Sequence, residues 1–242
     1  MILLIDIGNT NTVCALYHKQ DYIENQRIES TKNIKDALKL LKSYDITEVA
    51  ICSVVPSLTK IFLNEIKNLF QINPFIVSYK NSNIKLEVDA PADVGADRLC
   101  NIKAAITKVK GDCIVIDFGT ATTYDIINKK QEFIGGAIAP GIDVSANYLI
   151  KKAALLKNTI LEFPEKIIGK NTKTNIQSGV MYSAIYSIEG MIKNINKELN
   201  SEAHLILTGG FSSLISPKLS SKHTLEPNLT LEGIRLIYEE SK

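Results

Sequence analysis

The chain has 242 residues, between one and two domains at roughly 150 residues each. Apolar residues make up 45% and charged residues 22%, which excludes disordered and fibrous architectures. With 28 basic and 26 acidic side chains and a net charge of +2, no basic surface is available for nucleic acid or for an anionic membrane.

The N-terminal MILLIDIGNT has no basic region before its apolar run and already carries Asp6, so it does not read as a secretory signal. No stretch approaches the roughly 18 to 20 apolar residues of a membrane span, and a soluble, cytoplasmic protein is expected. Runs rich in Ile and Val alternate with segments of helical period, the pattern of an α/β fold. Strands are predicted at Ile2 to Ile5, Thr12 to Tyr17, Tyr22 to Ile28, Val49 to Val54, Phe75 to Ser78, Cys113 to Asp117, Thr122 to Ile127, Phe133 to Ile138 and Leu205 to Thr208. Two helical stripes are expected to face the core: Leu58, Ile61, Phe62, Ile66 and Leu69, then Ile176, Val180, Ala184, Ile185, Ile188, Ile192, Ile195 and Leu199. Cys14, Cys52, Cys100 and Cys113 form no C-x-x-C pair and read as buried thiols. His18, His204 and His223 are isolated, so no structural zinc is expected.

LLIDIGNTNTVCAL from Leu3 and IVIDFGTATTYDII from Ile114 share one plan: apolar strand, D-x-G, hydroxyl-rich turn, apolar strand. At an offset of 111 residues Asp6 aligns with Asp117, Gly8 with Gly119 and Thr12 with Thr123. The repeat predicts two related domains, 1–110 and 111–242, dividing near the Val-Lys-Gly-Asp turn at 109–112. A D-x-G turn can be a plain hairpin. It can also let the backbone approach phosphate oxygens, with the strand-end aspartate meeting their Mg²⁺. Two such turns at equivalent points of a repeat favour the ligand-binding reading.

Other nucleotide loops are missing: there is no G-x-G-x-x-G, no Walker A sequence around Gly169-Lys170 and no G-x-S-x-G. In VGADRL, Asp97 either caps a helix with Arg98 in a surface ion pair, or accepts a proton from an attacking hydroxyl while Arg98 or the amides hold the acceptor. FIGGAIAPGID, Phe133 to Asp143, lines a pocket or simply turns the chain. LILTGGFSS, Leu205 to Ser213, offers a flat backbone to an adenine or ribose, or a tight turn.

DIGNTNT, GADR, DFGTATT, GGAIAPG, GKNT and TGGFSS, in that order over nearly the whole chain, resemble type III pantothenate kinase, of the acetate and sugar kinase, heat-shock chaperone and actin superfamily. The resemblance implies two ribonuclease-H-like domains with ATP in the cleft between them, and phosphorylation of pantothenate as the first step of coenzyme A synthesis. It makes Asp6, Ile7, Gly8, Asn9, Thr10, Asn11, Thr12 and Val13 the first phosphate loop, and Gly95, Ala96, Asp97 and Arg98 the pantothenate-contacting segment with Asp97 as general base. It makes Asp117 the ligand of a monovalent cation, K⁺ or NH₄⁺, Thr120 an ATP contact and Thr172 a substrate contact. A homodimer is implied. Val88 stands where the family often has a tyrosine, three residues before Pro91, so that tyrosine's contact is not carried over. The alternatives are a kinase for another small hydroxyl substrate, and a nucleotide-binding transcriptional accessory factor without turnover.

Overall fold

The structure, a computed structural model, describes residues 1–30, 34–153, 156 and 159–242. The chain forms two compact units: Met1–Lys108 together with Asn228–Lys242, and Val109–Pro227.

In the first unit, strands β1 (Ile2–Ile7), β2 (Asn11–His18), β3 (Asp21–Glu29), β4 (Glu48–Ser53) and β5 (Phe75–Ile76) form a sheet of order β3-β2-β1-β4-β5. β1, β2 and β3 run antiparallel, while β4 and β5 run parallel to β1. Alternation along β1 decides what covers each face. Leu3, Ile5 and Ile7 pack with Ile34 and Leu38 of α1 (Ile34–Leu40) and with Phe62 and Ile66 of α2 (Pro56–Phe70). Leu4, Ala15, Ala50 and Cys52 pack on the other face with Cys100 of α3 (Ala96–Lys108) and with Leu231, Ile234 and Ile237 of the C-terminal helix α7 (Leu229–Glu240). Asp6 falls in the Leu4 series, on the α3 face. Pro56 at the first turn of α2 and left-handed Gln71 at its end set that helix's limits. Within its stripe Ile61 departs from expectation: it is 46% exposed, because it sits one residue, about 100° of helix, from the buried Phe62.

The second unit repeats the plan. Strands β6 (Cys113–Phe118), β7 (Ala121–Ile127), β8 (Phe133–Pro140), β9 (His204–Gly209) and β10 (His223–Leu225) lie in the order β10-β9-β6-β7-β8. This is the first order with β6 in the place of β1, and the antiparallel and parallel pairings match. Ile114, Ile116 and Phe118 pack with Ile142 of α4 (Ile142–Lys152), with Met181, Ile185, Ile188 and Ile192 of α5 (Thr172–Leu199), and with Ile215 of α6 (Ser212–Ile215). Asp117 lies in the alternate series, as Asp6 does in β1.

The register refines the repeat. Ile7 faces Thr12 in the first hairpin, and Phe118 faces Thr122 in the second. The first turn therefore holds Gly8, Asn9 and Thr10, the second only Gly119 and Thr120, and the offset drops by one beyond the turn. Thr12 is the counterpart of Thr122, not of Thr123; Thr12 and Thr122 are both buried.

The unit limits also differ from a simple division at residue 110. The change of unit falls at Lys108 and Val109, and the end of the chain returns to the first unit. The reason is packing, since the apolar stripe of α7 is buried on the first sheet and α3. All four cysteines are free and buried, as expected. Burial pushes the thiols of Cys14 and Cys113 up to about 12. Among the described residues no helix is long and apolar enough to cross a membrane.

Candidate active site

In the first unit the β1–β2 turn is held from within. The Gly8 N–H donates to the Asn11 carbonyl at 3.0 Å, and the Ser30 N–H donates to the Thr10 carbonyl at 3.0 Å. The Ser30 hydroxyl donates to the Gly8 carbonyl at 2.7 Å and lies 3.2 Å from Thr12 Oγ1. Ser30, just beyond β3, thus fastens the turn across the sheet, and Thr12 spends its hydroxyl on that contact. Sequence reasoning passes over Ser30, because one serine after a charged strand carries no signal. Asn9 and Thr10 remain exposed at the tip, where amides and hydroxyls can meet an anion.

Asp97 lies in the first turn of α3. Its Oδ1 accepts the N–H of the next residue, Arg98, at 2.7 Å, which holds the carboxylate against the start of the helix. The carboxylate also lies over the bare backbone of Gly95, where a Cβ would stand 2.6 Å from Oδ1. Burial raises the Asp97 carboxyl above the usual carboxylate value, against the opposing pull of the Arg98 amide and guanidinium. A partly desolvated carboxyl of raised basicity is what a general base needs.

Asp6 and Asp97 reach the same end of the first sheet. Cys52 stands opposite Asp6 in the β1–β4 ladder, and Cys100 lies one helical turn after Asp97. The Cys52 thiol is hydrogen-bonded to Cys100, and both thiols are buried; the negative charges of Asp6 and Asp97 also help to raise both. The predicted phosphate-loop aspartate and the predicted base therefore flank one thiol pair.

In the second unit three of the sequence motifs meet around the β6–β7 turn. The Gly119 N–H donates to the Ala121 carbonyl at 3.0 Å, and the Gly141 N–H donates to the Thr120 carbonyl at 3.0 Å. A Cβ at Gly141 would stand 2.5 Å from the Thr120 oxygen, so the glycine of APG fits against this turn as no larger residue could. Gly209 of the TGG motif, at φ +87°, abuts the Asp117 carboxylate: a Cβ there would overlap Oδ1 and lie 2.5 Å from the Phe118 nitrogen. The Asp117 carboxylate thus packs closely against Gly209, with Gly119 nearby. Among the described residues no group of three or more His, Cys, Asp or Glu side chains could hold a metal ion, so a cation there would be held by one carboxylate with backbone and ligand oxygens.

GKNT opens α5. Asn171 Oδ1 accepts the Thr174 N–H at 2.9 Å, and the Thr174 hydroxyl accepts the Asn171 N–H at 3.2 Å, a reciprocal cap. Thr172 is exposed, at the edge of a cavity of about 720 Å³ between α4, α5, β7 and β8 that Thr122, Tyr124, Ile142 and Ser183 also line.

Two sheets of one strand order, each opening on a D-x-G hairpin, define the actin-like ATPase fold. Among solved structures of that fold are a conserved Baf family protein from Campylobacter jejuni, with a TM-score of 0.63 at 19% identity over 99% of this chain and 98% of that one, and MreB 5 of Spiroplasma citri bound to AMPPNP, with 0.54 at 10% over 99% and 96%. A family model described as type III pantothenate kinase matches residues 2–194. Curated proteins of that name include one from Roseiflexus sp. (strain RS-1), 38% identical with both chains fully covered, and one from Citrifermentans bemidjiense, 34% identical with both fully covered. Another, from Dehalococcoides mccartyi, is 37% identical over all of this chain and 96% of its own. The chain belongs to the type III pantothenate kinase family, a family of phosphotransferases.

Proposed function

We propose that the chain transfers the γ-phosphoryl group of ATP to the primary hydroxyl of pantothenate, giving 4'-phosphopantothenate and ADP, the first step of coenzyme A synthesis. Family membership supports the reaction. The observation that carries the mechanism is the desolvated Asp97 carboxyl over Gly95, at the same end of the sheet as Asp6. In this reading the pantothenate hydroxyl gives its proton to Asp97 as its oxygen forms a bond to the γ-phosphorus. The bond from that phosphorus to the β-phosphate oxygen breaks, and ADP leaves. Phosphoryl transfer asks the protein mainly for position and charge neutralisation.

The Asn9 and Thr10 backbone with Gly8, and Thr120, would hold ATP, and Gly95 to Arg98 with Thr172 would hold pantothenate. Asp6 would hold Mg²⁺, and Asp117, packed against Gly209, would hold K⁺ or NH₄⁺. Those ions would supply the positive charge that offsets the phosphates, for neither turn contains a lysine. A coupled assay of ADP release tests the reaction. ADP formation is expected to require pantothenate and Mg²⁺ together and to fall when Na⁺ replaces K⁺. Silence with pantothenate, Mg²⁺ and K⁺ all present would overturn the kinase in favour of a nucleotide-binding regulator, and turnover of a different hydroxyl compound in a substrate panel would overturn the substrate.

The second unit carries much exposed apolar surface, with Ile138 at 65%, Tyr148 at 63%, Ile160 at 76% and Ile168 at 71%. Such a surface supports a second copy of the chain as partner. Light scattering is expected to give twice the chain mass, and Tyr148→Glu with Ile168→Glu to give the single chain mass; a native monomer removes the dimer. The free thiols and the near-neutral charge support a reducing, cytoplasmic setting without nucleic acid.

A further inference from the structure

The C-terminal helix α7 lies outside the motifs that carry the kinase reading, and outside the residues matched by the family model. Its contacts fall on the two elements that present Asp6 and Asp97.

Toward α3 there are three. Gly233 meets the backbone of Cys100 so closely that a Cβ would lie 2.6 Å from the Cys100 Cα and overlap its carbonyl. The Thr230 hydroxyl donates to Oδ1 of the buried Asn101 at 2.8 Å. Glu240 accepts from the buried Lys103 ammonium at 2.5 Å and from Asn83 at 3.2 Å. Toward the first sheet, the Arg235 guanidinium lies 5.0 Å from the Tyr17 ring centre, Tyr22 donates to Glu232 at 3.2 Å, and the Phe75 and Tyr238 rings are 5.5 Å apart. Leu231, Ile234 and Ile237 fill the space between, against Leu4, Cys52 and Cys100.

Helices normally pack with axes 8 to 10 Å apart because side chains intervene. At Gly233 none does, and the nearest backbone on α3 is one turn from Asp97. The contact is therefore rigid, backbone against backbone, where a small displacement passes directly to the first turn of α3.

We propose that α7 is a positioning element for phosphoryl transfer: through Gly233 and Thr230 it fixes α3 against the first sheet, and so sets the placement of Asp97 relative to Asp6. This rests on the reading of Asp97 as general base. Arg235, Glu232 and Tyr238 anchor α7 on the sheet side, and Glu240 ties the middle of α3 at Lys103.

The test uses the full chain. Gly233→Ala must push the helices apart by about an ångström, a displacement that can cost up to roughly 100-fold in a proton-transfer geometry. Its kcat is expected to fall roughly 10- to 100-fold with the KM for ATP unchanged. Thr230→Val adds no volume and keeps the fold accessible if Gly233→Ala does not express; it should lower kcat about threefold, again with the ATP KM unchanged. Glu240→Gln loosens the Lys103 contact, farther along α3 from Asp97 than the Gly233 and Thr230 contacts, and should lower the melting temperature while leaving kcat as in the parent. Gly190→Ala, with open space around its Cβ, makes the same chemical change without consequence.

If Gly233→Ala and Thr230→Val lower only the melting temperature and keep the parent kcat, α7 is a stabilising helix and the inference fails. An Asp97→Asn enzyme with parent turnover is a separate outcome: it removes the base reading on which the inference stands. An inactive Asp97→Asn beside a fully active Gly233→Ala removes only the role of α7.

Discussion

Asp97→Asn is expected to turn over pantothenate roughly 10²- to 10⁴-fold more slowly than the parent, the range that a positioned general base supplies. Asparagine keeps an oxygen for the Arg98 N–H that Asp97 Oδ1 accepts at 2.7 Å, so the first turn of α3 stays formed. ATP binding by calorimetry should be unchanged. The substitution should also make the protein more stable at neutral pH. Burial raises the Asp97 pKa in the folded chain above its unfolded value, so the folded state holds that proton more tightly. Stability is then lost as pH rises from the unfolded pKa through the folded one, and the full cost persists above both. Removing the charge removes the cost. The melting temperature of Asp97→Asn should exceed that of the parent at pH 7 to 8, and the gap should close as the pH falls below both pKa values. A variant with near-parent turnover would show that Asp97 is not the base; a neutral-pH melting temperature below the parent's would show that its charge is not held at a cost.

Gly209→Ala carries the second large effect. A methyl group there meets the Asp117 carboxylate and the Phe118 nitrogen, on a backbone at φ +87°. The conformation alone costs on the order of 1 kcal/mol for a residue with a side chain. Backbone overlap should bring the total to roughly 2 to 4 kcal/mol. Beyond stability, the variant should lose activation by K⁺, because the methyl group displaces the Asp117 carboxylate. Gly135→Ala separates the two effects: Gly135 sits at φ +124° with nothing within 4 Å of its Cβ. It should show the strain and keep the parent's K⁺ response. A Gly209→Ala enzyme with an unaltered K⁺ titration would move the cation site away from Asp117.

The D-x-G repeat was legible because a strand's apolar run and a glycine turn are local. Its shared strand order follows from that repeat, and both sheets carry it. Turn length was not legible: Gly8-Asn9-Thr10 and Gly119-Thr120 are both small and hydroxyl-rich, and only the ladder shows which threonine faces which. The motifs GGAIAPG and TGGFSS stood open between pocket and turn. What the sequence did not show is why Gly141 and Gly209 are glycines, since each is fitted to the backbone or carboxylate it touches rather than to its own neighbours in sequence. Ser30 and α7 lay beyond reach for the same reason. A single serine can act from across a sheet, and the stripe Leu231, Ile234 and Ile237 says that a helix is amphipathic without saying which distant surface it covers.

That the last residues complete the first unit has a bearing on how the chain is made. Residues 109–227 are contiguous, so the second unit has its whole sequence while α7 is still being synthesised. The first unit, though its strands are translated before the second unit, has Leu4, Ala50 and Cys52 covered only by α3 until α7 leaves the ribosome. Domains ordinarily fold in the order of synthesis; here the order of completion is reversed. A message broken or a chain cleaved before residue 228 yields a finished second unit attached to a sheet with one apolar face only partly covered by α3, a form for chaperones and proteases to recognise.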